Sequence, residues 1–262
     1  MTRILSPSQI AAYAKCPQAW YLRYVEGLRA PTSPYASLGI WFHAILEDVV
    51  LGLIGGIEAQ DAVQAAREAG LPEREAIAVA NAAKRHIDAF VSEFLPSLHP
   101  AAVEEWCEGT LGGYPVRCRL DYRDEGLEPD EYECGENDWG GYVLDWKLSS
   151  KTIPAPEWHW EVAIQVALSG VQTGGVCIFD RSGKRIGPAT IWIAESHRNA
   201  AVEDAIHQIG RWIEAGNAPP LGAWAERYGQ CACVYCDYVS VCQFGAPWRT
   251  TAARLAAKKE GK

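Results

Sequence analysis

Two short stretches carry carboxylates at strand spacing. In Val116-Arg117-Cys118-Arg119-Leu120-Asp121, a period of two puts Arg117, Arg119 and Asp121 on one face and Cys118 and Leu120 on the other. In Tyr142-Val143-Leu144-Asp145-Trp146-Lys147, the same period places Asp145 and Lys147 with Val143. If the strands are neighbours, two carboxylates and a lysine converge. Carboxylate oxygens suit Mg²⁺ or Mn²⁺, and a bound cation lowers the pKa of a water molecule, as phosphodiester hydrolysis requires. The lysine would orient that water or neutralise charge developing on phosphate. A D-x-K triplet alone equally fits a surface ion-pair patch.

A second set of ligand-type residues is Cys233-Val-Tyr-Cys236-Asp-Tyr-Val-Ser-Val-Cys242, with Cys231 just outside it. The C-x2-C-x5-C spacing offers three thiolates and needs one more donor for a cluster or for zinc. That donor could be Cys231, or the distant Cys16, which is followed by Pro17. Buried thiols without metal are the bland alternative. Cys107, Cys118, Cys134 and Cys177 are scattered and read as small buried hydrophobes.

These residues have to be positioned by a core, and the chain can build one. Its 262 residues are 48% hydrophobic and 22% charged, which excludes general disorder. Ser6-Pro7-Ser8-Gln9 has the form of a helix start and predicts a helix to about Tyr24, stopped by Gly27. Further helices are expected over 38–53, 58–69, 73–95, 158–171 and 196–215, with a short basic one over 252–259. Period-two segments predict strands over 103–108, 114–122, 141–147, 175–180 and 190–194, the second and third forming a long hairpin. Helices before and between strands imply an α/β or α+β core with the two ends of the chain as an appendage.

No run approaches the ~20 apolar residues of a membrane span, and the N-terminal segment lacks a signal-peptide core. The expectation is a reducing cytoplasm, where nine cysteines favour metal ligation over disulfides.

The net charge of -9 argues against a general nucleic-acid binder, but the charge is unevenly spread. Residues 1–35 carry Arg3, Lys15, Arg23 and Arg29 against Glu26, a net of +3. Residues 227–262 carry six basic side chains against Asp237 and Glu260, a net of +4. Eight acids fall within 124–138, between Asp121 and Asp145. That segment reads as a solvated excursion, and the chain as a polarised one.

Taken in order, the motifs resemble those of RecB-like nucleases of the PD-(D/E)xK superfamily. Ser6-Pro-Ser-Gln-Ile, Tyr13, Cys16-Pro17, Trp20-Tyr21 and Tyr24 resemble the N-terminal signature of its iron–sulfur exonuclease branch, which includes CRISPR-associated, AddAB-type and phage enzymes. The resemblance implies a restriction-endonuclease-like α/β core, a central mixed sheet flanked by helices, with an N-terminal helical segment and a C-terminal tail bound to a cluster. The whole chain would be one nuclease domain, with 1–35 and 227–262 as a cluster-stapled module, 36–101 helical and 102–226 the catalytic core. It implies a [4Fe–4S] cluster on Cys16, Cys233, Cys236 and Cys242, which would join the two basic ends into one surface.

Gly39-Ile-Trp-Phe-His43-Ala-Ile-Leu-Glu47 resembles the helix whose histidine is a metal ligand. By the same resemblance Asp121, Asp145 and the Trp146 carbonyl join His43 on Mg²⁺ or Mn²⁺, and Lys147 is the catalytic lysine. Gln165 resembles the glutamine of a Q-x3-Y motif, although Ser169 stands where the tyrosine would be. The implied activity is a Mg²⁺- or Mn²⁺-dependent deoxyribonuclease, an exonuclease on single-stranded DNA or duplex ends. Its setting would be recombination, repair, or phage or CRISPR-associated processing, with a recombination or helicase partner and no membrane. The competing readings are a non-catalytic nucleic-acid-binding or docking module, and a zinc protein using Cys231, Cys233, Cys236 and Cys242.

Overall fold

Proline punctuates the first helices. Ser6 caps α1 (Pro7–Lys15) by accepting the Gln9 N–H. Pro17 lacks the N–H that would continue the helix, so the single helix expected to Tyr24 is two. Cys16 stands extended between them (φ -157, ψ 103), ending α1 and capping α2 (Pro17–Tyr24). The computed structural model describes residues 4–30, 32–124, 141–151, 153–193, 199–215, 233 and 236–253. Cys134, Cys231, most of the acidic run 124–138 and most of the basic helix expected over 252–259 lie outside them. The same holds for the basic Arg3, Arg227, Arg254, Lys258, Lys259 and Lys262.

The chain divides into two units, one of Met1–Pro31, Thr110–Val116 and Ala200–Lys262, the other of Thr32–Gly109 and Arg117–Asn199. In the second, α3 (Pro34–Val50), α4 (Ala59–Glu68) and α5 (Glu73–Ala89) precede the sheet. The segment expected as helix to residue 95 widens after Ala89 into a π turn, Phe90–Phe94, and then tightens into a 3-10 turn, Leu95–Ser97.

The strands are β1 (Pro100–Leu111), β2 (Tyr114–Asp124), β3 (Tyr142–Ser149), β4 (Thr173–Asp180) and β5 (Pro188–Ile193). They lie side by side in chain order in a mixed sheet. β2 and β3 are antiparallel, as the hairpin reading expects, β3 and β4 are parallel, and β4 and β5 are antiparallel. Parallel neighbours need a crossover, and α6 (Pro156–Ser169) supplies it between β3 and β4.

Alternation along β3 divides its side chains between two apolar layers. Leu144 and Trp146 pack with Phe42 and Leu46 of α3, Ile87 of α5, Tyr122 and Phe179. Val143 packs with Val162 and Val166 of α6, Leu120, Val176 and Ile178. Helices thus cover both faces of β3, as in a PD-(D/E)xK-type core. Each fully buried large apolar side chain contributes about 1.5–3 kcal/mol, so these two layers fix β3 firmly.

The first unit is built on α1, α2, α7 (Asn199–Ala215) and the tip of the β1/β2 hairpin. Leu5 N–H donates to the Pro115 carbonyl at 2.9 Å, and Trp212 Nε1 donates to the Tyr13 hydroxyl at 2.9 Å. The hairpin turns on Gly112 and Gly113, both with positive φ (+56 and +83), the signature of a two-residue primed turn. A Cβ on Gly112 would meet the Glu203 carbonyl at 2.5 Å, so α7 also requires glycine there. Leu22 of α2 packs with Tyr238 and Cys242 of the tail.

Candidate metal centre and active site

The alternation of β2 holds from Val116 to Leu120 and then breaks, for Leu120, Asp121 and Tyr122 are all buried. Leu120 packs on the α6 side of the sheet and Tyr122 on the α3 side. The ladder with β3 covers Tyr122–Asp124 against Tyr142–Leu144. At Asp121 the side chain takes over, and Oδ2 accepts the Trp146 N–H at 2.8 Å. A carboxylate has replaced a backbone carbonyl in the ladder, which fixes its position against β3. The same oxygen lies 3.4 Å from His43 Nδ1, on α3. His43 is set by its neighbours Phe42 and Leu46, which are fully buried against the sheet.

Glu104 completes a triad with them. One ligand atom each from His43, Glu104 and Asp121 lies within 4.8 Å of the others. Glu104 lies on β1, the neighbour of β2 in the sheet. Its backbone is left-handed (φ +54), a conformation that costs a non-glycine residue roughly 1–3 kcal/mol. Glu104 is half-buried as a residue, with 10% of its side chain exposed. On sequence grounds Glu104 and Glu105 could assist the site, with a solvated strand face favoured for both. For Glu104 the structure gives the first outcome, its carboxylate lying with His43 and Asp121 at a left-handed residue that breaks the strand alternation.

Asp145 and Lys147 project to the α6 side with Val143, as the alternation requires. Lys147 Nζ lies 2.7 Å from Asp145 Oδ2 and 3.3 Å from Glu161 Oε2. Gln165, one turn after Glu161 on α6, donates from Nε2 to Asp145 Oδ1 at 3.3 Å. Its buried Oε1 has no hydrogen-bond partner among the described residues. Trp146 enters the site through its N–H, while its indole packs edge-on against Phe90 in the core. Ser169, at the position expected for tyrosine, bonds the Val166 carbonyl within its own helix at 3.3 Å.

Burial and neighbouring charge separate the ionisation of these groups. Burial pushes the Asp145 carboxyl up to about 6; Lys147 opposes this, and Asp121 and Glu161 add to it. Burial likewise pushes Glu104 up to about 7, reinforced by Asp121 and opposed by Arg119. Burial acts against charge on Asp121 too, but His43, Lys147 and the Trp146 N–H outweigh it and hold that carboxyl low. Burial disfavours the His43 imidazolium, yet Asp121 outweighs it and holds the pKa above its ordinary value. For Lys147 the burial penalty is overcome by Asp145, Glu161 and Asp121, which hold the ammonium far above the usual lysine range.

One imidazole and two carboxylates form a hard-to-borderline donor set that fits a divalent cation such as Mn²⁺ or Mg²⁺. The structure brings together His43 and Asp121, which the resemblance implies as fellow ligands, and sets Asp145, Lys147 and Gln165 beside them. Sequence reasoning had Glu104 only as a possible aid to the site, and it missed Glu161 beside the lysine and Arg119 on Glu104. The signal for Glu104 was its place with Glu105 on a predicted strand.

The expected [4Fe–4S] site is not formed. Among the described residues the one group of metal-ligating atoms is the His43, Glu104 and Asp121 triad; Cys16, Cys233, Cys236 and Cys242 do not make another. The physical reason lies in how the thiols are used. Cys16 Sγ accepts the Ala19 N–H at 3.4 Å as the cap of α2. Cys242 is buried with Leu22 and Tyr238, and Cys236 packs against them. Burial pushes the Cys16 thiol up and the Cys236 thiol up to about 11, which favours the neutral form. The tail is joined to α2 by apolar contact, not by a cluster.

No helix among the described residues is long and apolar enough to cross a membrane. No curated protein matches the chain in sequence. Solved structures similar to it include that of SSO0001, at 15% identity and TM-score 0.47, covering 94% of this chain and 88% of that one. Another, described as "Putative exonuclease" from Eubacterium rectale, has 11% identity and TM-score 0.47 over 84% of each chain. The PD-(D/E)XK nuclease superfamily profile matches residues 4–243, nearly the whole chain. Its mixed sheet and its His/Glu/Asp cluster are consistent with a metal-dependent active site. The chain belongs to the PD-(D/E)XK nuclease superfamily.

Proposed function

We propose that the protein is a divalent-metal-dependent deoxyribonuclease, an exonuclease that hydrolyses phosphodiester bonds in single-stranded DNA or at duplex ends. The observation that carries the reading is the meeting of the His43, Glu104 and Asp121 donors with the Asp145–Lys147 pair on the neighbouring strand. Within the superfamily, the order of the His43, Asp121, Asp145-x-Lys147 and Gln165 motifs supports a RecB-like exonuclease.

His43, Glu104 and Asp121 would hold the cation, with Asp145 and the Trp146 carbonyl as further donors. When bound, the cation supplies Lewis-acid charge to a phosphate oxygen and acidifies water. Lys147 stays protonated between Asp145 and Glu161, so it works as a fixed positive charge and donor at the reacting phosphate rather than as a base. Gln165 holds Asp145 through one amide atom and has its buried carbonyl oxygen left over.

The test incubates end-labelled single- and double-stranded DNA with the protein and Mg²⁺ or Mn²⁺, with Asp145→Ala and Lys147→Ala alongside. Metal-dependent release of nucleotides from ends, lost in both variants, is the expected result. DNA binding without cleavage in either metal would favour the docking module, and activity surviving in both variants would remove these residues from the reaction.

A further inference from the structure

Glu104 is the one non-glycine residue with positive φ among the described residues. His43 sits within a regular helix and Asp121 within a strand, so only the third donor of the triad depends on a backbone that L-residues avoid. A disfavoured conformation persists only where its surroundings over-determine it.

The surroundings that do so centre on Arg119. Its Nε lies 2.5 Å from Glu104 Oε2 and donates to the carbonyl oxygen of the same residue at 3.3 Å. One nitrogen thus ties both the side chain and the backbone of the strained residue. Nη2 lies 3.7 Å from Glu47 Oε1, and Glu47 follows His43 by one turn on α3. The helix that carries one donor therefore braces the arginine that holds another. An ordinary surface ion pair would join two exposed side chains, whereas here an arginine 47% exposed reaches a carboxylate only 10% exposed.

We infer that Arg119 is a positioning residue that holds Glu104 in its left-handed conformation, so that its carboxylate faces His43 and Asp121, and that Glu47 is the brace of Arg119. The inference rests on the reading of the triad as a cation site. It requires no contact between Arg119 and DNA.

The test measures Mn²⁺ binding to the full chain, by electron paramagnetic resonance of free Mn²⁺ and by calorimetry, without any nucleic acid. Partners that orient metal ligands typically contribute about 10–100-fold to affinity. Arg119→Gln should weaken Mn²⁺ binding by about tenfold or more while the thermal midpoint stays near that of the parent. Glu47→Gln should weaken binding less than Arg119→Gln does, and Glu104→Ala should weaken it most. At saturating Mn²⁺, the cleavage rate of Arg119→Gln should return to within a few-fold of the parent, the separation of affinity from turnover expected of a positioning role. If Arg119→Gln does not fold, Arg119→Lys serves, keeping the charge without the planar fork and restoring affinity only in part. Affinity within twofold of the parent in Arg119→Gln or Arg119→Lys, while Glu104→Ala loses binding, overturns the inference and leaves the triad standing. Failure of the parent itself to bind Mn²⁺ overturns the triad and the inference with it.

Discussion

The carboxylates around His43 and the thiols around Tyr238 are both drawn together from distant parts of the chain, both largely out of water, and both of ligand type. They settle differently. In the first group each acid meets a donor or cation: Asp121 the Trp146 N–H and His43, Asp145 Lys147 and Gln165, Glu104 Arg119. In the second, Cys236 and Cys242 pack against Leu22 and Tyr238, and Cys16 caps a helix. A carboxylate cannot be buried without a partner, because desolvating its charge is too costly. A thiol can simply stay protonated and behave as a small hydrophobe. The same sequence signal, clustered ligand residues, therefore forces a polar site in one case and permits an apolar contact in the other.

The largest expected difference between the two regions is in catalysis. Lys147→Ala should lower the cleavage rate by about 10²–10³-fold, the usual loss for one charge-stabilising group in a dry site. Cys236→Ala should leave the rate per folded molecule within a few-fold of the parent. Single-turnover assays on end-labelled DNA, normalised to the folded fraction by circular dichroism, measure both. Equal losses would erase the contrast and bring the thiols into the working site.

How much of this contrast the sequence carried differs between the groups. Asp145 and Lys147 were legible because β3 is regular, and a regular strand reports its faces by period two. His43 was legible through a family-like helix motif, and Asp121 was found on its strand although the alternation fails beside it. Glu104 was named as a possible aid but weighed as solvated for the opposite reason, since a left-handed residue inside β1 leaves no trace in a pattern of apolar and polar letters. Glu161 was missed because an acid on an amphipathic helix looks solvated until the helix is docked on β3. The cysteine spacing was read as a ligand set because C-x2-C-x5-C is local information. Whether four sulfurs close on one point is decided by how the tail packs on α2, which spacing does not encode.

Proton competition gives the next largest effect. Glu104, pushed up to about 7 mainly by burial, must lose its proton to bind a cation. His43, which Asp121 holds above its ordinary value, must lose its proton as well. Mn²⁺ affinity should therefore rise by at least about tenfold from pH 6 to pH 8, measured by calorimetry in buffers of matched ionic strength. Glu104→Gln should bind weakly with a flatter profile. A profile that is flat in the parent would place the acid outside the cation site.

In the thiol pocket the expected effect is on stability alone. Cys242→Ala removes a buried sulfur from contact with Leu22 and Tyr238 and should cost about 1 kcal/mol, read from the urea midpoint. Chelator should not move the midpoint of the parent in that experiment through the cysteines. A chelator-induced fall that disappears in Cys242→Ala would mean that the sulfurs do hold a metal, and the distinction between the two regions would collapse.

The smallest effect tests how the carboxylate group maintains its lysine. Asp145 lies nearer to Lys147 than Glu161 does, and Glu161 is the more exposed of the two. Removing the outer acid in Glu161→Gln should cost less than about 1 kcal/mol of interaction, as for a partly solvated ion pair. Since the ammonium is held far above the ordinary lysine range, that loss leaves it protonated at pH 7, and the rate there should change by no more than a few-fold. A lysine whose folded pKa is raised contributes stability that is full below its unfolded value, about 10.4, and is lost as pH rises through the folded one. Because the folded value lies far above about 10.4 in parent and variant alike, the lost Glu161 interaction is felt in full at and below about pH 9 and moves no alkaline limb. The urea midpoint of Glu161→Gln should therefore lie slightly below that of the parent, by the same small amount at pH 7 and at pH 9. Equal midpoints in parent and variant would mean that Asp145 alone holds the lysine, and that the acid on α6 is a neighbour of the site without a part in it.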